Sequence, residues 1–474
     1  MWLELQREAD MPLWRQIYQA LKEQMLSGVL ATGAALPATR DLAQQLGVSR
    51  NTVCAAYEML VAEGFLISRP GAAARVAEGL CMEVEVPAPL PIRRTETPLP
   101  VAVSFCTGRP DLALFPRYLW QQLLREACRT LPLELYGYSG PQGLPLLRQH
   151  IAAWLLRGRG LRVDADDIFV TAGATHGLGL IAEVLRPRGN TVAMEDPCHV
   201  GMRRAWSNLG FAVKPVPADA QGLRPDGLTA DGDMIAIYTT PSHQFPLGGI
   251  LPAARRAALV RFAREQDVYL VEDDYDSEFR YAGDPVAPLY ALDPQRVFYV
   301  GTFSKALFPA LRIGYVIVPR PLQRRWCHLR AHMDVQNPPF EQAALAQMLC
   351  TGKLDRHVRR MRGVYAKRRR ALLEALHRAW GDAVVPCGDA AGLHVAVQFT
   401  GMRFDRAFQR RCIQAGVYVK PLEDYCIVKG RHGDKLLLGY GHLTPEEIQT
   451  GVDLLAEVIN NFPSADGGMC GGGE

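Results

Sequence analysis

In LWRQIYQALKEQML, Leu13, Ile17, Leu21 and Met25 recur every four residues, which predicts one apolar stripe of an amphipathic helix that stops near Ser27-Gly28. TRDLAQQLG predicts a second short helix, with Thr39 at its N-cap and Gly47 ending it. VSRNTVCAAYEMLVAEGFL predicts a third, capped by Ser49, with Val53, Tyr57 and Leu60 on one face. The turn Gly47-Val48-Ser49 is tight, so the last two helices form a helix-turn-helix, and GFLISRPGAAARV reads as two short strands around Pro70-Gly71, a wing.

Farther along, the pattern changes. DIFVTAG, TVAMEDP, MIAIYTTP, VYLVEDDY and VFYVGTFS are short apolar runs alternating with helical stretches. They predict an α/β domain with a mostly parallel sheet, helices on both faces, and ligand atoms at the carboxyl ends of the strands. Between the two regions, residues 78–102 hold five prolines and no helical or strand period, as expected of a semi-rigid extended connector. The expected layout is a winged helix over 1–77, the connector, an α/β domain over 103–463 that closes with a small α+β subdomain, and a Gly-rich tail over 464–474 expected to be disordered.

Composition adds limits. A chain of 474 residues, 48% apolar, exceeds one ordinary core. The formal charge of +4 is too small to argue a nucleic-acid partner from totals, and residues 1–80 are near neutral, with seven basic residues against eight acidic ones. Eleven scattered cysteines, an odd count with no C-x-x-C pair, suit reduced thiols and neither a disulfide framework nor a metal site. No apolar stretch approaches membrane-spanning length and MWLELQREADMPLWRQ has no apolar leader core, so the expectation is a soluble, cytoplasmic protein without a membrane partner.

The candidate chemistry sits in GTFSKALFPALRIGY. Lys305, among Ser304, Ala306 and Leu307, is placed for partial desolvation, which favours the neutral amine that attacks an aldehyde. Thirty residues earlier, VYLVEDDYDSEF reads as a buried strand ending in acids. Asp273 and Tyr275, two apart on an extended segment, point the same way. A carboxylate there keeps a pyridine nitrogen protonated and a phenol tunes the ring hydroxyl, so the expected aldehyde is pyridoxal 5′-phosphate (PLP). Gly173-Ala174-Thr175 follows a strand and opens a helix, supplying N–H groups and a hydroxyl for the phosphate. Arg312 is the charged partner expected for that phosphate.

These residues, strand, Asp-x-Tyr and then S-K-x-L-x-P-x-L-R-x-G, resemble the fold-type I PLP enzymes, the aspartate aminotransferase superfamily, over roughly residues 100–460. The first sixty or so residues after Met11 are similar to the GntR-type winged helix. The combination, strengthened by TPSHQFPLGGIL, resembles the MocR subfamily of GntR regulators across essentially the whole chain. That resemblance implies DNA contacts from Arg40, Ser49, Arg50, Asn51, Thr52, Arg69 and Gly71, with Arg and Asn reading bases and Ser49 and Thr52 holding phosphates. Cys54 stands where some GntR modules carry another base-reading arginine. The resemblance further implies that Tyr136 or Tyr138 reaches the cofactor phosphate of a partner subunit in a head-to-tail homodimer; the other reading of each is a buried packing aromatic. His199 stands where the subfamily stacks an aromatic on the pyridine ring, and Leu437 where aminotransferases place the arginine that grips the substrate carboxylate. The basic run 356–373 reads as a solvated helix face.

The expected function is a PLP-dependent transcriptional regulator that binds a double-stranded operator and senses PLP, an amine or an amino acid through an imine at Lys305. The absence of arginine at 437 favours PLP itself or an amine without an α-carboxylate. The alternative is an aminotransferase with an accessory DNA-binding domain.

Overall fold

The computed structural model describes residues 5–69, 72–80, 101–229, 232–283, 286–388 and 390–461. The chain divides into two compact units, residues 1–97 and 98–474. The tail, most of the connector and the wing tip at Pro70-Gly71 lie outside the described residues.

In the first unit, α1 (Leu13–Leu26), α2 (Thr39–Leu46) and α3 (Arg50–Ala62) precede the antiparallel pair β1 (Leu66–Ile67) and β2 (Arg75–Val76). The apolar periodicity becomes the core: Ile17, Leu21, Met25, Leu42, Val53, Tyr57, Leu60, Leu66 and Val76 are buried together. Gly47 ends α2 in the left-handed region at φ 61°, a conformation that favours glycine. Ser49 caps α3 by accepting from the Thr52 amide. The cap expected at Thr39 is displaced by one residue. Ala38, just after Pro37, takes the extended N-cap conformation, Thr39 is the first helical residue, and its hydroxyl accepts from Arg50 Nε at 3.4 Å.

The second unit begins with β3 (Val103–Ser104) and continues through β4 (Ile168–Thr171), β5 (Thr191–Asp196), β6 (Ala212–Asp219), β7 (Gly222–Leu223), β8 (Met234–Thr239), β9 (Tyr269–Asp274), β10 (Val297–Thr302) and β11 (Gly314–Ile317). The eight from β4 to β11 form one sheet in the order β4-β11-β10-β9-β8-β5-β6-β7, parallel along β10-β9-β8-β5-β6. A smaller sheet carries β12 (Val384–Cys387), β13 (His394–Phe399), β15 (Lys420–Pro421) and β16 (Lys435–Gly439), while β14 (Val417–Tyr418) pairs with β3. Five of these strands are the apolar runs read from sequence. Helices cover both faces of the large sheet and bury separate clusters, one around Leu270 and Val297 and one around Val271 and Phe298. Consecutive residues of a strand face opposite ways, so the uninterrupted runs in β9 and β10 follow from being covered on both sides.

Strand β9 buries three successive acids, and each is handled differently. Glu272 accepts from the amides of Leu289 and Tyr290 at 2.9 and 2.8 Å. Asp274 pairs with Arg159 at 2.9 Å and accepts from the Tyr299 hydroxyl. Asp273 accepts from the Tyr238 hydroxyl at 2.7 Å through one oxygen only. A buried carboxylate is costly without partners, so that half-paired acid marks the functional side of the sheet.

The basic run lies on the helix Lys353–Trp380, and most of its arginines are exposed as expected. Arg368 departs from that reading. It is buried and donates to Asp111 and to the Gly441 carbonyl at 2.6 and 2.7 Å.

Candidate cofactor cleft and DNA-reading surface

A cavity of about 220 Å³ opens at the carboxyl ends of β8, β9 and β10, with β13 of the small sheet on its other side. Lys305, Asp273, Tyr275, Arg312, Ala174, Thr175, His199 and Ser304 all line it. Lys305 Nζ donates to the Gly108 carbonyl at 2.6 Å. Burial lowers the Lys305 ammonium pKa from its ordinary value, and the carboxylates of Asp276 and Asp273 only partly oppose that shift. A Cβ on Gly108 would stand 3.0 Å from Lys305 Nζ, so the glycine leaves the amine its space.

Burial pushes the Asp273 carboxyl up to about 7, despite the bond from Tyr238. Its Oδ1 is buried and has no hydrogen-bond partner among the described residues. On a residue that lines the cavity, that atom lacks a hydrogen-bond donor from the described residues.

Tyr275 reaches His243 Nδ1 at 3.0 Å, and the same nitrogen lies 3.0 Å from Asp276 Oδ2. A carboxylate can only accept, so Nδ1 carries the proton and the Tyr275 oxygen accepts beside it. The phenol proton is thereby free to point into the cavity.

His199 caps the helix Val200–Ser207, its Nδ1 accepting from the Gly201 amide at 3.1 Å, and its ring packs on Phe245 at 5.1 Å. Burial pushes the imidazole down to about 4, assisted by the charges of Lys305 and Lys420. A neutral ring stacks without carrying a desolvated charge.

At the other end, Gly173 takes φ 83° and leads into the helix Ala174–Leu185, whose amino-terminal N–H groups open on the cavity. Arg312, itself left-handed at φ 51°, donates to the Ala172 carbonyl at 2.6 Å and lies about 3.0 Å from where a Cβ on Gly173 would be. These two backbone positions bring a guanidinium, the Thr175 hydroxyl and a positive helix end together.

Several cleft residues went unread in the sequence. Tyr238, His243, Phe245, Asp276 and His394 all line the cavity or hold residues that do. The string TPSHQFPLGGIL signalled the segment without indicating that His243 orients Tyr275. Gly108 and Tyr238 left no local signal, because their contacts join distant segments. Tyr136 and Tyr138 lie outside this cavity and are 51% and 90% exposed in the single chain; the Tyr136 ring meets Phe340 edge-on at 5.1 Å and its hydroxyl donates to the Cys128 carbonyl at 3.1 Å.

Comparison with known proteins decides the family. The family of bacterial regulatory proteins named gntR matches residues 13–76, and aminotransferase class I and II matches residues 103–452. A probable rhizopine catabolism regulatory protein, MocR of Rhizobium meliloti, is 32% identical over 96% of this chain and 95% of its own. The chain belongs to the MocR-type GntR regulators. The HTH-type pyridoxine biosynthesis transcriptional regulator PdxR of Corynebacterium glutamicum is 38% identical over 76% of this chain and 78% of its own. Among solved structures, a multiple substrate aminotransferase from Thermococcus profundus matches with a TM-score of 0.70 at 27% identity, covering 77% of this chain and 92% of that one. A Pyrococcus horikoshii kynurenine aminotransferase, solved in complex with PMP, matches at 0.69 and 27%, over 76% and 91%.

This MocR-type regulator is thus an HTH-type transcriptional regulator carrying an aminotransferase-like domain, and PLP is the cofactor of that fold. The residues present fit it: an orphaned Asp273 oxygen for the ring nitrogen, a depressed lysine for the aldehyde, and a glycine-backed arginine at a helix end for the phosphate. Among the described residues no cluster could hold a metal ion, the nine cysteines are free, and no helix is long and apolar enough to cross a membrane.

On the DNA-binding unit, Arg40, Arg50, Asn51 and Arg69 are exposed. The Ser49 and Thr52 hydroxyls lie 2.8 Å apart, so part of their bonding capacity is spent on the α3 cap before any phosphate arrives. Gly71 lies outside the described residues.

Proposed function

We propose that the regulator uses Lys305 as the attachment point for PLP and reads amine or aldehyde supply through the cleft around it, while the winged helix holds an operator. The observation that carries this reading is the unpartnered Asp273 Oδ1, buried in the same cavity as Lys305. When bound, PLP supplies an aldehyde and an electron-withdrawing ring. Asp273 Oδ1 would accept a hydrogen bond from the protonated ring nitrogen, whose positive charge would hold the carboxylate ionised. Tyr275 would donate a hydrogen bond to the ring's phenolic oxygen, and neutral His199 would offer the ring an uncharged face. Ser304, Thr175, Arg312 and the glycine turn at Gly173 take the phosphate. Lys305, deprotonated at lower pH than a surface lysine, supplies the amine.

The exposure of Tyr136 and Tyr138 supports a head-to-tail homodimer in which a tyrosine from each protomer reaches the partner's phosphate, since large aromatic rings left in solvent suit a surface that a second copy covers. The coupling runs through closure of the small sheet, which carries His394 and Leu393 at the cavity edge, and changes the spacing of the two DNA-reading units. On DNA, Arg40, Arg50, Asn51 and Arg69 meet the groove and the backbone. Leu437 is fully buried among Phe245, Leu422 and Tyr425, so no guanidinium reaches the cleft from that position.

The deciding experiment is footprinting on the DNA flanking the regulator's own gene, with and without PLP and with a panel of amines. Protection whose pattern or salt dependence changes with ligand supports the sensor. Steady release of a keto acid from amino donors, with protection unaffected by any ligand, replaces it with an aminotransferase.

A further inference from the structure

Strands β15 and β16 pair antiparallel with Lys420 directly across from Leu437, so the two side chains share one face of the small sheet. On the other side of Leu437 stands Ala396, too small to fill that face. This face packs against Phe245, Leu422 and Tyr425, and Phe245 is a wall of the cofactor cavity.

Lys420 Nζ lies 4.4 Å from the centre of the Tyr425 ring. That ring is 5.2 Å from Phe245, and its hydroxyl is held by the side chain of Thr107, another wall of the cavity. The neighbouring acid Glu423 is turned elsewhere, accepting from the amides of Gly430 and His432. Among the described residues no carboxylate pairs with Lys420, which is half-buried. A half-buried ammonium with only an aromatic face for company is short of a counter-ion. The two cations that line the cavity, Lys305 and Arg312, are assigned to the aldehyde and the phosphate, and Lys420 stands behind its Phe245 wall, over the Tyr425 ring. The charge of Lys420 is felt inside the site, where it helps to hold the His199 imidazole neutral.

We infer that Lys420 receives the anionic group of an amine-bearing effector, a carboxylate or sulfonate, in place of an arginine at position 437. The inference rests on the reading that the Lys305 cleft admits amines, and it reverses the expectation that Leu437 excludes acidic effectors. An ammonium on four methylenes is a point charge, without the two-pronged geometry of a guanidinium. Lys420 therefore selects for charge and tolerates a range of chain lengths.

The test uses the PLP-loaded full-length protein and follows both the change in its yellow absorbance band and the heat of binding. Glycine, β-alanine and 4-aminobutyrate are titrated beside ethylamine, propylamine and butylamine, in which a methyl group replaces each carboxylate. In the unmodified protein at least one amino acid binds about 10-fold or more tighter than its alkylamine, the scale of one charge-assisted hydrogen bond. In Lys420→Met that advantage falls below about 3-fold, while alkylamine affinity and the yellow band stay unchanged, and Lys420→Arg retains it. Arg203→Met, a charge removed from the nearby helix Val200–Ser207, leaves the advantage intact. An advantage that survives in Lys420→Met, that disappears instead in Arg203→Met, or that is absent from the unmodified protein while alkylamines bind, overturns the assignment and leaves the sensor reading standing. Failure of every amine to bind overturns the assignment together with the amine half of the proposed function, and leaves the cleft as a sensor of the aldehyde alone.

Discussion

Asp273, Tyr238, His243 and Asp276 are buried and hold one another through hydrogen bonds of 2.7–3.1 Å, whereas Arg40, Arg50, Asn51 and Arg69 stand in solvent on a unit of nearly balanced charge. The cleft is preorganised: its orientation is set before any ligand arrives, by groups that have no other use for their partners. The proposed DNA-reading surface has only its scaffold in place, through the Ile17-Leu21-Val53-Leu60 core and the Ser49 cap, and on the proposed function its exposed arginines meet their DNA partners only on binding. A deletion in the cleft should therefore strand a buried group, while a deletion on the DNA face returns a side chain to water.

The largest expected effect follows from Asp273. Its carboxyl is raised to about 7 in the cofactor-free protein, so the folded state binds a proton that the unfolded state releases near pH 4. The stability this group lends is fully present below about pH 4 and is lost as pH rises through about 7. Asp273→Asn should remove that loss, leaving the cofactor-free variant more stable than the parent at pH 8 by on the order of 3 kcal/mol and little different at pH 4, measured by urea unfolding. The same variant should bind PLP more weakly by about 2–5 kcal/mol, because the ring nitrogen loses its charge partner. Equal stability changes at both pH values would show that the acid is not held protonated.

Next comes Leu21→Ala, in the core of the first unit. It should destabilise that unit by about 2–5 kcal/mol and lower DNA binding, while PLP uptake by the second unit is unchanged. A parallel loss of the yellow band would break the comparison, since it would mean that the cleft leans on the winged helix for its folding. Asn51→Ala should cost about 1–3 kcal/mol in operator affinity and relax the preference at one base pair, with stability and PLP affinity untouched. A uniform loss across all DNA sequences would reassign Asn51 to the phosphate backbone.

The same contrast governs what could be read in the sequence. Lys305, Asp273 and Tyr275 were legible because a buried strand ending in acids and a lysine in an uncharged run both violate the rule that charges stay in water. The helices of the first unit were legible by periodicity alone, down to Gly47, and the error at Thr39 was one residue, caused by the extended Pro37-Ala38 step. Leu437 was legible by alignment to a family pattern, but Lys420 was not, because its meaning comes from cross-strand pairing of segments 17 residues apart. Tyr238 and Gly108 were silent for the same reason. Each touches the site through a contact spanning 35 and 197 residues respectively.

The most direct test of the account is Lys305→Ala, purified and incubated with PLP, then treated with borohydride and examined by mass spectrometry. The account predicts a folded protein without the yellow band and without a cofactor adduct on the peptide containing position 305, whereas the parent carries both. A variant that stays yellow and still gains a borohydride-fixed cofactor on some other residue would contradict the assignment of Lys305 as the attachment point.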